Sequence, residues 1–161
     1  MPTSVSDIRT VPVGEDLVSS LNTLEIQRGI DKMFRADKPV APGDAFLAGE
    51  FAVLGNDGNL SRPGAAPVAS TFLVFAGTDR FDAKMTGKVT VIENSPIVVK
   101  TTLYDTGASY NVGDELCVKN RGAGKADVTK AASGEWAVGR VTEVGEGYLV
   151  YDLYSNPQKA A

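Results

Sequence analysis

Residues 136–153 read W-A-V-G-R-V-T-E-V-G-E-G-Y-L-V-Y-D-L, and this stretch decides the fold class. Valine, threonine, tyrosine and leucine are frequent on both sides of the glycine-containing residues 145–147. β-Branched and aromatic residues favour strands, and a glycine-rich break between two such runs is typical of a hairpin. We therefore predict two antiparallel strands, over residues 136–144 and 147–154, joined by a tight turn.

The same pattern recurs along much of the chain. Its 17 glycines and 8 prolines separate segments rich in Val, Thr, Phe, Tyr and Leu, and turns such as G-N-D-G-N at 55–59 lie between them. Further strands are predicted at 46–54, 70–76, 87–93, 97–104 and 114–119. Many short strands joined by tight turns are typical of a sandwich or barrel. The predicted fold class is mainly β, with a single β-barrel or β-sandwich domain over residues 43–161.

The first 42 residues follow a different pattern, in which apolar residues are spread among Ser, Thr, Asp and Pro without a sustained period. Such a segment cannot bury itself alone, so we predict an extended N-terminal arm, residues 1–42, held by a partner. Within it, residues 21–36 fit a helix by spacing, whereas Gly29 and the lack of boundary signals suit a strand equally well. The candidate interface residues of the arm are Val5, Ile8, Val11, Val13, Leu17, Val18 and Leu21.

Composition limits the possible functions. The 161 residues include no histidine, which excludes Ser-His-Asp and Cys-His catalysis and removes the commonest ligand of transition metals. The net charge of −4 argues against nucleic-acid or anionic-membrane partners, which require a basic face. Neither a secretory signal pattern nor an apolar run long enough for a membrane span is visible, so we expect the chain to stay on the cytosolic side.

The stretch L-Y-D-T-G-A-S-Y at 103–110 resembles the active-site motif of retroviral-type aspartic proteases, and A-V-G-R at 137–140 resembles a second element of that family. Those enzymes need two carboxylates that share a proton, so a chain with one motif would act as a homodimer. The interval between the two elements is short for the flap hairpin of that family. Asp-Thr-Gly is also common turn chemistry, because Asp accepts hydrogen bonds from amides two residues on. The preferred interpretation of Asp105 is a residue that begins a loop, and a homodimeric protease is the alternative.

The other motifs carry weaker signals. R-G-A-G-K-A at 121–126 lacks the first glycine and the final Ser or Thr of a phosphate-binding loop. The acidic turns at 55–59 and 114–115 lack the spacing of a calcium site. Cys117 alternates with apolar residues as a strand residue does, and Trp136 is expected in the core rather than at an interface. We predict no catalytic residues, no cofactor and no metal.

Three segments carry a resemblance to a protein family: Y-N-V-G-D-E-L-C-V-K-N at 110–120, K-A-A-S-G-E-W-A-V-G-R-V-T-E-V at 130–144, and Y-L-V-Y-D-L at 148–153. Together with residues 43–60, their pattern resembles that of small bacteriophage capsid decoration (cement) proteins and related virion structural proteins. The resemblance implies a non-enzymatic β-barrel or β-sandwich protein, synthesised in the host cytoplasm and bound to the capsid surface of the virion. The resemblance also implies two kinds of partner, namely the major capsid protein and further copies of this chain in a homo-oligomer. A phage tail or baseplate structural protein shares these features and is the alternative.

Overall fold

The computed structural model describes residues 23–122 and 124–161, which form a mainly β protein with 46% strand and 7% helix. The predicted mainly β fold is therefore confirmed. A 3-10 turn spans Ile30–Lys32, and a short α-helix, α1, spans Phe81–Thr86. The strands of the described residues are β1 (Leu24–Arg28), β2 (Phe34–Pro39), β3 (Phe51–Leu54), β4 (Leu60–Ser61), β5 (Thr71–Ala76), β6 (Lys88–Glu93), β7 (Val98–Thr101), β8 (Glu115–Val118), β9 (Val128–Lys130), β10 (Trp136–Gly145) and β11 (Tyr148–Lys159).

These strands form two antiparallel sheets. One sheet has the strand order β1-β7-β11-β10-β8-β9, and the other has the order β2-β6-β5-β3-β4. A first core contains Phe51, Leu73 and Ile92 from the five-stranded sheet and Val99 and Tyr151 from the six-stranded sheet. Because these side chains pack together, they hold the inner faces of the two sheets against each other.

The five-stranded sheet curls into a half-barrel, and its two edges meet at one end only, just beyond the end of β2. Val40, directly after β2, forms a parallel bridge with Leu60 of β4, and the amide of Ala41 donates to the carbonyl of Leu60 at 2.8 Å. The curled sheet encloses a second core, in which Val74 of β5 and Ala83 of α1 are buried. The sheet is therefore apolar on both faces, which explains the nearly continuous apolar run of β5.

The hairpin predicted from residues 136–153 is present as β10 and β11, which pair from Trp136–Lys159 to Gly145–Tyr148. Gly147 has a φ of 83°, a conformation that glycine adopts without strain and that closes the turn. Each of the other predicted strands overlaps an observed one, namely β3, β5, β6, β7 or β8. The pattern of alternating and β-branched residues therefore located the interior of the fold.

Residues 24–39, within the predicted arm, are part of the two sheets. β1 pairs with β7 from Leu24–Thr101 onward, and β2 pairs with β6 along its full length. Gly29 separates them with a φ of 83°. Residues 24–36 of the segment 21–36, which fitted a helix and a strand equally well, therefore contain β1, a 3-10 turn and the start of β2. The seven candidate interface residues of the arm lie within residues 1–22, outside the described residues.

Tyr151 gives a test of the first core. Its side chain is fully buried, its hydroxyl has no hydrogen-bond partner among the described residues, and burial raises its pKa. An unsatisfied buried hydroxyl is costly, so Tyr151→Phe is expected to raise the free energy of unfolding by about 1 kcal/mol in urea denaturation. The matched control is Tyr154→Phe, which removes a hydroxyl that donates to Glu115 at 2.7 Å and should lower stability. Equal losses in both variants would contradict this account of Tyr151.

Candidate functional site

Asp105 lies in the loop that follows β7. Its amide donates to the carbonyl of Val128 at 2.8 Å, which ties the loop to β9. One carboxylate oxygen accepts a hydrogen bond from the amide of Gly107 at 3.0 Å, and the other accepts one from the hydroxyl of Thr129 at 2.8 Å. The bond to the amide two residues on is the predicted turn chemistry of Asp-Thr-Gly.

Arg121 joins the Asp105 loop to a second carboxylate. Its guanidinium lies 3.1 Å from the Asp105 carboxylate and also binds the carboxylate of Asp127, a residue that is only 5% exposed. Burial acts to raise the pKa of Asp105, but hydrogen bonds from Thr129 and Gly107 and the charge of Arg121 outweigh it. The pKa of Asp105 is therefore lowered.

This arrangement differs from the carboxylate dyad of an aspartic protease. In a dyad the two carboxylates share a proton, because both cannot be ionised at close range. The described side chains that bind the Asp105 carboxylate, Thr129 and Arg121, are hydrogen-bond donors. The geometry therefore favours an ionised carboxylate that organises a loop.

Gly124 and Ala126 contact the curled sheet and the loops beside it. Ala126 is fully buried in the second core, where its carbonyl accepts a hydrogen bond from the amide of Phe51 at 2.7 Å. The amide of Ala126 donates to Glu50 at 3.3 Å, and Arg62 binds both Glu50 and the carbonyl of Gly124. The segment 121–126 leads into β9 and not into a helix, so it does not provide a helix N-terminus for a phosphate group.

The carboxylates of the two acidic turns are bound by groups of the same turn or of a neighbouring strand. Asp57 accepts hydrogen bonds from the amide and the side chain of Asn59, while Asp114 accepts one from the amide of Asn111 and pairs with Lys130 at 3.2 Å. Across residues 23–122 and 124–161, Asp, Glu and Cys side chains form no group of three that could hold a metal ion.

The single cysteine and the single tryptophan of the chain differ in burial. Cys117 lies in β8, as its alternation with apolar residues predicted, and burial raises the pKa of its thiol to about 12. Trp136 is only half-buried, with the ammonium group of Lys159 lying 4.6 Å from its ring centroid. The expectation of a core tryptophan was therefore wrong, because the side chain at the start of β10 reaches the rim of the six-stranded sheet.

Several apolar side chains project from the surface. Ile30, in the 3-10 turn, is 64% exposed, Phe34, at the start of β2, is 67% exposed, and Val112, in the turn before β8, is 70% exposed. Phe81 and Met85 are 60% and 72% exposed and share one face of α1, since residues four apart lie on the same side of a helix. Sequence reasoning missed these positions because they lie in short turns, an edge strand and a six-residue helix, where no periodic pattern marks them.

The space between the sheets is small. A cavity of about 60 Å³ lies beside Phe51, Ile92, Val138 and Pro157. Ligand sites for small molecules have volumes of roughly 300–1,000 Å³, so this cavity has room for water but not for a substrate.

Comparisons with protein-family models, curated proteins and solved structures found no match to this chain. Among the described residues, no helix has the length and apolar content needed to cross a membrane.

Proposed function

We propose that this chain is a non-enzymatic structural protein of a bacteriophage particle, specifically a capsid decoration protein that binds and stabilises the assembled shell. The observation that carries the proposal is its exposed apolar surface. Phe34, Phe81, Met85 and Val112 project from an edge strand, a helix and a turn of a compact β body. Phe81 and Met85 are neighbours on one face of α1, and adjacent exposed apolar side chains favour contact with another protein surface.

The internal bonding of the charged groups supports the same proposal. The Asp105–Arg121–Asp127 cluster ties two loops to β9, and Lys119 pairs with Glu135 at 3.0 Å across the start of β10. These groups bond to one another and stabilise loops around the body. A protein with this distribution of groups is suited to covering a surface.

The proposed partners are the major capsid protein and further copies of this chain. A specific protein interface buries about 800 Å² on each partner. Residues 1–22, with Val5, Ile8 and Val11 among their apolar side chains, would add contact area to the surface of the body. Repetition over a symmetric shell would let many weak contacts act together.

Localisation in purified virus particles tests the proposal. We expect gold-labelled antibodies against this chain to distribute over the capsid shell in electron micrographs. Label confined to the tail or baseplate would identify the protein as a tail component, which is the alternative proposal. If particles that assemble while the chain is being produced carry no label, both the capsid proposal and the tail proposal would be refuted.

Deletion of residues 1–20 tests the contribution of the N-terminal segment. We expect the shortened protein to co-sediment with purified shells at least about tenfold more weakly, because it loses apolar contact area. The control is a full-length variant with Met85→Ser, which separates the contribution of α1 from that of the N-terminal segment. Undiminished binding by the shortened protein would show that the described body alone makes the contact.

A further inference from the structure

We propose that the free edge of β2 is a homodimerisation site. On this edge, β2 of a second copy would pair antiparallel about a twofold axis at Ala36, joining the five-stranded sheets of the two copies. The inference does not rest on the proposed function, because it concerns the protein alone in solution.

The backbone of β2 determines which groups face this edge. β2 lies at the end of its sheet and, in the described part of the chain, its residues Phe34–Pro39 pair with β6 alone, whereas the contact with β4 begins at Val40. The amide of Val40 donates to the carbonyl of Gly87 at 3.0 Å, and the amide of Phe34 donates to the side chain of Ser95 at 2.7 Å, so even-numbered residues direct their amides toward β6. In an antiparallel pair these directions alternate, so the backbone groups of Arg35 and Asp37 point outward.

A twofold axis at Ala36 matches these outward groups. It places Arg35 of each copy directly opposite Asp37 of the other, so that each such pair can exchange both of its backbone hydrogen bonds. In this register Pro39 of one copy lies opposite Met33 of the other, and the hydrogen-bond ladder ends there. Pro39 has no amide hydrogen, and the amide of Met33 already donates to the carbonyl of Ile30 at 3.4 Å.

The charged side chains along the β2 edge of one copy are complementary to those along the same edge of a second copy. Residues directly opposite in an antiparallel pair have their side chains on the same face, so Arg35 and Asp37 would form an ion pair on each side of the axis. The Asp37 carboxylate is held by the hydroxyl of Thr90 at 2.7 Å through one oxygen. Asp37 also lines an open concavity together with Met33, Phe34, Arg35 and Thr90, and the incoming arginine would occupy that space.

The other positions fit the same register. Ala36 would face its own copy at the axis, where opposing side chains approach most closely and a small residue is required. Phe34 would lie opposite Lys38 of the partner, whose ammonium group stays paired with Glu93 at 3.5 Å while its aliphatic stem lies beside the exposed ring. The pairing would therefore bury one of the exposed apolar side chains of the protein.

Charge reversal along the edge tests this register. Sedimentation equilibrium at low ionic strength should find the wild-type chain in a monomer–dimer equilibrium. Arg35→Asp and Asp37→Arg each place like charges opposite one another, and each is expected to raise the dimer dissociation constant by a factor of about ten or more. An equimolar mixture of the two variants should dimerise like the wild type, because the acidic edge of one then faces the basic edge of the other.

Two controls make the result decisive. Circular dichroism establishes that both variants fold, and Arg80→Asp makes the same charge change at an exposed ion pair beside α1, where dimerisation should be unaffected. A wild-type chain that remains monomeric would overturn the proposal. That result is expected if the charged residues of β2 serve only to prevent another strand from pairing with it. Single variants that dimerise like the wild type, or a mixture that dimerises no better than its components, would also overturn it.

Discussion

Gly77→Ala is expected to lower the free energy of unfolding by at least about 3 kcal/mol, because the new methyl group would overlap backbone atoms that cannot move aside. A Cβ at this position would overlap the carbonyl oxygen of Phe46 and lie 3.0 Å from the Cα of Leu47. The same carbonyl of Phe46 accepts a hydrogen bond from the amide of Thr78 at 2.7 Å, so relief of the overlap would break this contact as well. Urea denaturation followed by far-ultraviolet circular dichroism measures the loss.

The matched control for Gly77 is Gly64→Ala. Neither glycine has a positive φ, and a Cβ at Gly64 meets no atom within 4 Å. The control should change stability by less than about 0.5 kcal/mol, as is usual for surface substitutions. Similar losses in both variants would contradict the account of close packing against Phe46, because the lower entropy of the unfolded alanine chain by itself stabilises the fold.

Arg121→Met is expected to produce the second large effect, a loss of about 3 kcal/mol in the free energy of unfolding. The substitution keeps much of the side-chain volume but leaves Asp127 buried without its cation, and an isolated buried charge is strongly destabilising. Arg80→Met is the matched control, because the Arg80–Asp82 ion pair is largely exposed and should contribute little. A loss no larger than that of the control would contradict the proposed role of Arg121.

The effect of Arg121→Met should also depend on pH. The folded protein lowers the pKa of Asp105 from its ordinary value of 3.8, so this carboxylate contributes stability above that value and loses it as the pH falls. Removal of the Arg121 charge removes part of this contribution. The difference in unfolding free energy between wild type and variant should therefore narrow as the pH falls from about 5 to about 3.

The sequence was sufficient to predict the strands that pack on both faces or alternate regularly. The β10–β11 hairpin shows both signals, since Tyr151 and Val141 are buried and glycine closes the turn. β2 was not predicted, because an edge strand with one neighbour exposes most of its side chains and its R-A-D-K sequence has no apolar period. The alternating charges followed by Pro39 are nevertheless typical of an edge strand.

The charged cluster at Asp105 could be predicted only in part. The Asp-Thr-Gly sequence indicates a turn, and the hydrogen bond from the amide of Gly107 follows from that local chemistry. The partners Arg121 and Thr129 come from another part of the chain, and the antiparallel pairing of β8 and β9 fixes their positions. No sequence spacing specifies which cation reaches a buried carboxylate such as Asp127.

The strand order of the six-stranded sheet has a consequence for biosynthesis. β11, the last strand along the chain, lies in the interior of that sheet, between β7 and β10. While the ribosome is still making residues 148–159, β7 lacks its inner neighbour, and only the curled sheet can close. We therefore expect the nascent chain to expose the apolar faces and unpaired edge of β7 until residues 148–159 have left the ribosome, so that chaperones would engage it up to that point.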